Sequence, residues 1–219
     1  KIGIVNIVTS TTCNLDCDYC YSEETRTGMC DTPKIMTEEI AQRIADTILE
    51  NKNDIFDKYV SIRFVGGGEP LTSFKIIRYF VEYFEKRKKD IEALYKISTN
   101  GLLLNSEIVN FLKRHNFKVK VSIDGVTKSQ NVHRIKREDD LDRLLKNIQI
   151  LFEALGYDNV VAAITFYPHK ERVLDKIKSC MDLGFRYIKY QPVINKSIRP
   201  IKGQYYKELQ KNEAEVIDY

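Results

Sequence analysis

Six short β-branched runs alternating with longer amphipathic segments predict an α/β fold: a parallel sheet with right-handed crossovers, curled into a partial (β/α)6 TIM-like barrel. Three observations carry this expectation. The apolar period switches repeatedly between 2 and 3.6 along the chain. The units number six, short of the eight strands that a closed barrel of about 250 residues requires. No internal repeat or low-complexity linker divides the 219 residues, so one domain over residues 1–219 is expected.

The first strand is expected over Ile2–Val8, where IGIVNIV is nearly continuous in apolar residues. Residues 37–50 follow with helical spacing, placing Ile40, Ile44 and Ile48 on one stripe and Glu38 and Glu39 near the positive end of the dipole. A second strand is read at Val60–Val65. The helix after it, 74–88, buries Ile77, Phe80, Val81 and Phe84, and the basic run Lys86–Lys89 falls at its C-terminal end. Strands three and four are Leu94–Ser98 and Val119–Ile123. Residues 140–153 form a helix on Leu141, Leu144, Leu145, Ile148 and Phe152, with Asp139 and Asp140 as its N-terminal acids. Val160–Thr165 and Tyr187–Gln191 complete the strands, and 195–204, with Pro200 and Gly203, leads out of the last unit. In such sheets active groups gather beyond the C-terminal ends of the strands.

Composition narrows the function classes. Apolar residues are 43% and charged residues 30%, ordinary for a globular domain. Thirty-five basic side chains against 31 acidic ones leave a net charge of only +4, so nucleic-acid binding is not implied. No stretch approaches the roughly 20 apolar residues of a membrane span, and no segment has the charged, apolar, small-residue pattern expected of a signal peptide. The chain begins at Lys1, which suggests processing or excision from a longer protein. Three of the five cysteines are clustered, unlike a disulfide framework, and a reducing cytoplasm is expected.

The cluster is C13NLDCDYC20, a C-x3-C-x2-C spacing just after the first strand. Thiolates select zinc, copper(I) or iron–sulfur clusters. A structural zinc site closes with four ligands, and the fourth would have to be Cys30, His133, His169 or Cys180, none of which lies in a second paired motif. Three cysteines can instead hold three irons of a [4Fe–4S] cluster and leave the fourth open. The second motif is R63FVGGGEPL71, at the end of the second strand. Three glycines followed by Glu69 exceed what a turn needs, and they lack the features of a phosphate loop or dinucleotide fingerprint. Strand-end carbonyls together with Glu69 suit a ligand bearing an amino group.

The cysteine motif after strand one, in step with GGGEP after strand two, resembles the radical S-adenosylmethionine (radical SAM) enzymes. ISTNG (97–101) and VSIDG (121–125) agree, and the resemblance runs from Ile4 to about Val193. SIDG with YQPV (190–193) is similar to the peptide- and protein-modifying branch, which includes anaerobic sulfatase-maturating enzymes and ribosomal-peptide maturases. The resemblance implies that Cys13, Cys17 and Cys20 ligate a [4Fe–4S] cluster whose open iron takes the amino and carboxylate groups of SAM. It places Tyr19 near the adenine, Gly67, Gly68 and Glu69 at the SAM amino group, and Ser122 at the methionine or ribose part, with Asn100 assisting. Val193 would offer backbone to the adenine. The branch carries a D-G-x4-H-D-x2-R pattern. Here Gln130 stands where His is usual and Asn131 where Asp is usual, while Arg134 keeps the spacing and is expected at the SAM carboxylate. His133 and Arg137 allow a shifted register.

The implied reaction is reductive SAM cleavage followed by hydrogen abstraction from a peptide or protein side chain. A one-electron reductant such as a flavodoxin or ferredoxin would supply the electron. RNA or a cofactor precursor is the alternative substrate, and a non-catalytic zinc scaffold the alternative of another class. No catalytic acid or base is identified. Cys30 and Cys180 read as small buried hydrophobes, His115 and His169 as non-ligands, and the tyrosines near strand ends, Tyr187 and Tyr190, as packing residues.

Overall fold

The computed structural model describes residues 2–20, 22, 34–193 and 202–217. Its strands are β1 (Ile4–Ile7), β2 (Tyr59–Phe64), β3 (Glu92–Thr99), β4 (Lys118–Ser122), β5 (Val160–Phe166) and β6 (Tyr187–Pro192). They form one six-stranded sheet in the order β1-β2-β3-β4-β5-β6, and every neighbouring pair is parallel. Residues at the ends of β2 and β6 line the same cavity, so the sheet curls towards a barrel, as the periodicity predicts.

Six helices are described: α1 (Glu38–Glu50), α2 (Phe74–Glu85), α3 (Ser106–Arg114), α4 (Glu138–Leu155), α5 (Val173–Leu183) and α6 (Lys202–Ile217). Their ends follow local chemistry. Thr37 and Asn105 cap α1 and α3 by accepting from the backbone N–H three residues on, and Gly184 ends α5 in the left-handed region at φ 117°. The second helix stops at Glu85 rather than 88, because Lys89 adopts φ 50° and ends the turn. The stripe expected on the first helix is rotated. Ala41, Ala45 and Ile48 are buried, while Ile40 is 46% exposed, since small alanines let α1 approach α2 closely. The sequence expectation named no span for α3, α5 or the last helix, α6.

The core lies between the sheet and the helices. Val60, Ile62 and Phe64 of β2, Ile97 of β3, Val119 and Val121 of β4, and Ile164 and Phe166 of β5 are at most 1% exposed. Burying each such side chain contributes about 1.5–3 kcal/mol. Ile77, Phe80, Val81 and Phe84 of α2 and Leu144 and Ile148 of α4 face them, as expected. The other, concave face of the strands is polar, carrying Ser98, Lys120, Ser122 and Thr165. Strands buried on both faces read as unbroken apolar runs. The polar alternation here therefore marks the concave face as a site.

Candidate functional site

The loop leaving β1 carries the three cysteines. Cys20 N–H donates to Cys17 O at 3.0 Å and Asp18 N–H to His133 O at 2.9 Å, so the loop is tied both to itself and to the segment after β4. Asp18 also pairs with His133 Nδ1 at 3.0 Å and Lys136 Nζ at 2.7 Å. Cys13, Cys17 and Cys20 are half-buried, none is in a disulfide, and all three line one cavity of about 630 Å³.

The glycine strap is laid against this loop. Gly66 and Gly67 adopt φ 78° and 69°, and the N–H groups of Gly68 and Glu69 donate to the carbonyls of Ser10 and Thr12 at 2.9 and 2.8 Å. A Cβ on Gly67 would lie 2.5 Å from Ser10 O, and one on Gly68 would lie 2.0 Å from Thr12 O. The glycines thus allow two backbones to pair at the cavity wall, a reason that the sequence alone does not reveal. Pro70 starts a short 3₁₀ turn, Pro70–Ser73, capped by Glu69, whose Oε1 accepts from Leu71 N at 3.1 Å and Thr99 Oγ1 at 2.6 Å. Its Oε2 accepts from Asn100 N at 2.7 Å. Burial raises the Glu69 pKa, and these three donors oppose the rise. A cation placed beside Glu69 would stabilise the ionised form. Asn100 Nδ2 donates to Asn14 Oδ1 at 2.8 Å, linking β3 to the cysteine loop.

Arg134 and Asp124 form a buried pair at the end of β4, 7% and 1% exposed, with Nε 3.5 Å from Oδ2. Among the described residues Arg134 Nε has no hydrogen-bond partner, and its Nη1 lies 4.0 Å from Cys17 Sγ. Burial works against its charge, yet Tyr19, Asp124 and Cys17 outweigh that cost and raise its pKa. The Tyr19 hydroxyl donates to Asp124 Oδ2, while Thr165 N–H donates to Oδ1 at 2.8 Å. Tyr19 lies between Arg134, 5.5 Å from its ring centroid, and the rings of His133 and Tyr167. Burial pushes the Cys17 thiol up to about 11, with Arg134 opposing and Cys20 and Cys13 adding to the rise.

The structure therefore brings Cys13, Cys17, Cys20, Tyr19, Gly67, Gly68, Glu69, Asn100, Ser122, Arg134 and Val193 to one cavity. Arg137 is not among them; it stands at the N-terminus of α4, beside a separate hollow with Lys128 and Lys136. Val193 is more constrained than expected. Its N–H donates to Phe166 O at 2.9 Å and its carbonyl accepts from the Tyr205 hydroxyl at 2.8 Å, leaving a ligand only the carbonyl's second lone pair. The departures at 130 and 131 have local roles. Asn131 Oδ1 accepts from Asp124 N and its Nδ2 donates to Gly125 O, while Gln130 Oε1 accepts from Val126 N, so both brace the Asp-Gly turn. Asp124 is the residue that sequence reasoning quoted without a role. Its one signal was a charged residue at a strand end. Tyr190, read as packing, also lines the cavity.

Cys180 is fully buried with its thiol pushed up to about 12 by burial, and His115 packs on Phe111 and Tyr95. Neither lines the cavity. Asp140 pairs with Arg143 at 2.5 Å. Cys30 and most of the segment 195–204 lie outside the described residues. Among the described residues no three His, Cys, Asp or Glu side chains converge on a single metal ion, and no helix is long and apolar enough to cross a membrane.

Known proteins resemble this chain in sequence and in fold. A radical SAM cyclopropyl synthase of Paramaledivibacter caminithermalis is 28% identical over 187 residues, which cover 80% of this chain and 39% of that protein. A cysteine-type anaerobic sulfatase-maturating enzyme of Clostridium novyi is 25% identical over 191 residues, covering 85% of this chain and 50% of that protein. The chain thus spans half or less of the length of these relatives. In three dimensions it resembles native anSMEcpe with bound AdoMet and Cp18Cys peptide, with a TM-score of 0.74 at 20% identity, over 89% of this chain and 52% of that one. The Radical SAM superfamily model matches residues 7–177, from the end of β1 into α5. The three thiols beside Arg134 and the glycine strap lie inside that match, and the chain belongs to the Radical SAM superfamily, whose proteins use a [4Fe–4S] cluster and S-adenosylmethionine.

Proposed function

We propose that residues 1–219 form one core domain of an enzyme that modifies a peptide or protein side chain, working in a reducing cytoplasm. One observation carries the reading. The cavity wall beside the cysteine loop presents a buried acceptor, Glu69, and a buried cation, Arg134, into a shared space. That combination fits a zwitterionic amino-acid moiety held beside three thiols. The cavity volume also falls within the roughly 300–1,000 Å³ of small-ligand sites.

The donor set fits an iron–sulfur cluster. Burial raises the Cys17 thiol and its neighbours Cys20 and Cys13 add to the rise, so a thiolate there requires a multiply positive partner, and iron supplies it. Bound together, cluster and SAM supply one-electron reductive cleavage leading to hydrogen abstraction from a C–H bond. The chain's own residues then bind and orient. Arg134 offers its planar guanidinium to a carboxylate, and Glu69 accepts from an ammonium. Ser122 and Asn100 flank the ligand, Tyr19 closes the cavity towards the adenine, and the strand-end walls keep water from the reacting atoms. A one-electron reductant such as a flavodoxin or ferredoxin docks near the cysteine loop, and the peptide arrives through the lateral gap of the six-stranded barrel.

Anaerobic reconstitution tests the reading. About four irons and four sulfides are expected on this site, together with substrate-dependent 5′-deoxyadenosine. Cys17→Ala abolishes both, whereas Cys180→Ala retains them. Stoichiometric zinc without labile sulfide would defeat the proposal. Turnover on tRNA or a small metabolite, with none on peptides, moves the protein to the other substrate class.

A further inference from the structure

The six strands contain five basic residues, Arg63, Lys96, Lys118, Lys120 and Lys189, and one acid, Glu92. Strand register puts all five cations on the concave face. Arg63 pairs laterally with Lys96, and Lys96 with Lys118, so three cations stand side by side across β2, β3 and β4. Adjacent strands are about 4.8 Å apart, and like charges directly opposite each other are destabilising. Lys120 lies one step nearer the cysteine loop, between Ser98 and Val161. Lys189 is level with Ala163, whose other neighbour is Ser122.

The cations repel one another across the interior as well as along the sheet. Burial lowers the Lys96 pKa, and Arg63, Lys118 and Lys189 lower it further, although Lys189 is three strands away. Burial likewise lowers that of Lys120, with Lys189 and Arg63 adding to the effect. No acid among the described residues compensates. Among the described residues none of the five makes a salt bridge, Arg63 Nε donates only to Ser61 Oγ at 3.3 Å, and Glu92 stands at the opposite end of β3 from the site. Lys120 and Lys189 line the same cavity as the cysteines, so this cationic floor is continuous with the site.

We infer that the cationic concave face receives an acidic stretch of the substrate peptide, with Lys120 and Lys189 engaging its carboxylates below the SAM position and Arg63, Lys96 and Lys118 extending the track. The inference rests on the peptide reading above and adds the charge class. Carboxylates are favoured over a polyphosphate for two reasons. The cations are spread over four strands and several register steps, matching charges distributed along a chain. The strand N–H groups between them are committed to the sheet, so the convergent backbone donors that cradle phosphate are missing here.

Fluorescence anisotropy with the reconstituted holoprotein and SAM tests the inference. The probes are a labelled Glu/Asp-rich peptide, its Gln/Asn isostere and labelled GTP. The acidic peptide is expected to bind about tenfold tighter than the isostere, with the preference shrinking as salt rises from about 0.05 to 0.5 M. Lys120→Gln/Lys189→Gln and Lys96→Gln/Lys118→Gln should each remove most of that preference while circular dichroism stays unchanged and the melting temperature does not fall. Lys113→Gln, on the exposed side of α3, should leave the preference intact. Equal binding of both peptides would overturn the inference and leave the peptide reading standing. Binding of GTP with neither peptide bound would overturn both.

Discussion

Replacing Asp124 by Asn tests whether the end of β4 is organised by charge. The substitution keeps size and shape, and Asn Oδ1 can still accept from Thr165 N–H, now at 2.8 Å. It puts an NH₂ group where Oδ2 accepted from Tyr19 and faced Arg134 Nε at 3.5 Å. At that distance, with an effective dielectric of about 20, the lost attraction is about 5 kcal/mol. Removing one partner of a buried pair costs about 3–5 kcal/mol in general, and the retained Thr165 bond favours the lower end, about 3 kcal/mol. For a domain of this size that lowers Tm by about 6–12 °C. Urea denaturation of the metal-free protein provides the midpoint and slope for wild type, Asp124→Asn and Asp124→Asn/Arg134→Met. The double variant should recover much of the loss, because it removes the guanidinium left buried without its counter-ion. A single variant within about 0.5 kcal/mol of wild type would refute the reasoning, since ordinary surface substitutions fall in that range.

Three further outcomes follow from the site. Gly68→Ala forces a Cβ to within 2.0 Å of Thr12 O, so the strap and cysteine loop must part; a loss of about 1–3 kcal/mol is expected, with reduced iron loading measured per protein. Arg134→Lys should weaken SAM binding by about 1–3 kcal/mol in calorimetry, whereas Arg137→Lys, away from the cavity, should leave it unchanged; the reverse result would shift the register of the motif. Lys136 holds the Asp18 carboxyl below the usual aspartate range, with burial opposing and His133 assisting. The stability from that contact is complete above the unfolded aspartate value of about 4 and is lost as pH falls through the lower folded value. Asp18 is exposed, so the effect is small, and Asp18→Asn should flatten the acid limb of the urea midpoint against pH.

Much of the architecture was legible because it is written locally. All six strands lie within a few residues of their expected positions, since β-branched runs declare themselves over a short window. The stripe of α2 was read residue for residue because its large apolar side chains leave one choice of face. The stripe of α1 was misread, since alanines carry a weak signal and only the neighbouring helix decides which side they serve. α6 escaped for a related reason. Its residues KGQYYKELQKNEAEVI carry few apolar side chains, and its attachment rests on long-range bonds such as Asn212 Oδ1 to Val173 N–H at 2.8 Å.

The same division runs through the site. The sequence by itself determined the donor set: three thiols in eight residues, a glycine strap with an acid, and an arginine at a family spacing. These are statements about residue type and short distance along the chain. The tertiary structure decided their partners. Tyr19 and Asp124 are 105 positions apart, Glu69 and Thr99 are 30 apart, and Tyr205 reaches back 12 residues to the Val193 carbonyl. The row of Arg63, Lys96 and Lys118 exists only because strand register aligns three residues whose sequence surroundings look unrelated. Period and spacing act within a strand or loop. Charge pairing, strap packing and the burial that shifts Cys17 and Glu69 depend on which strand lies beside which, and the sheet alone sets that.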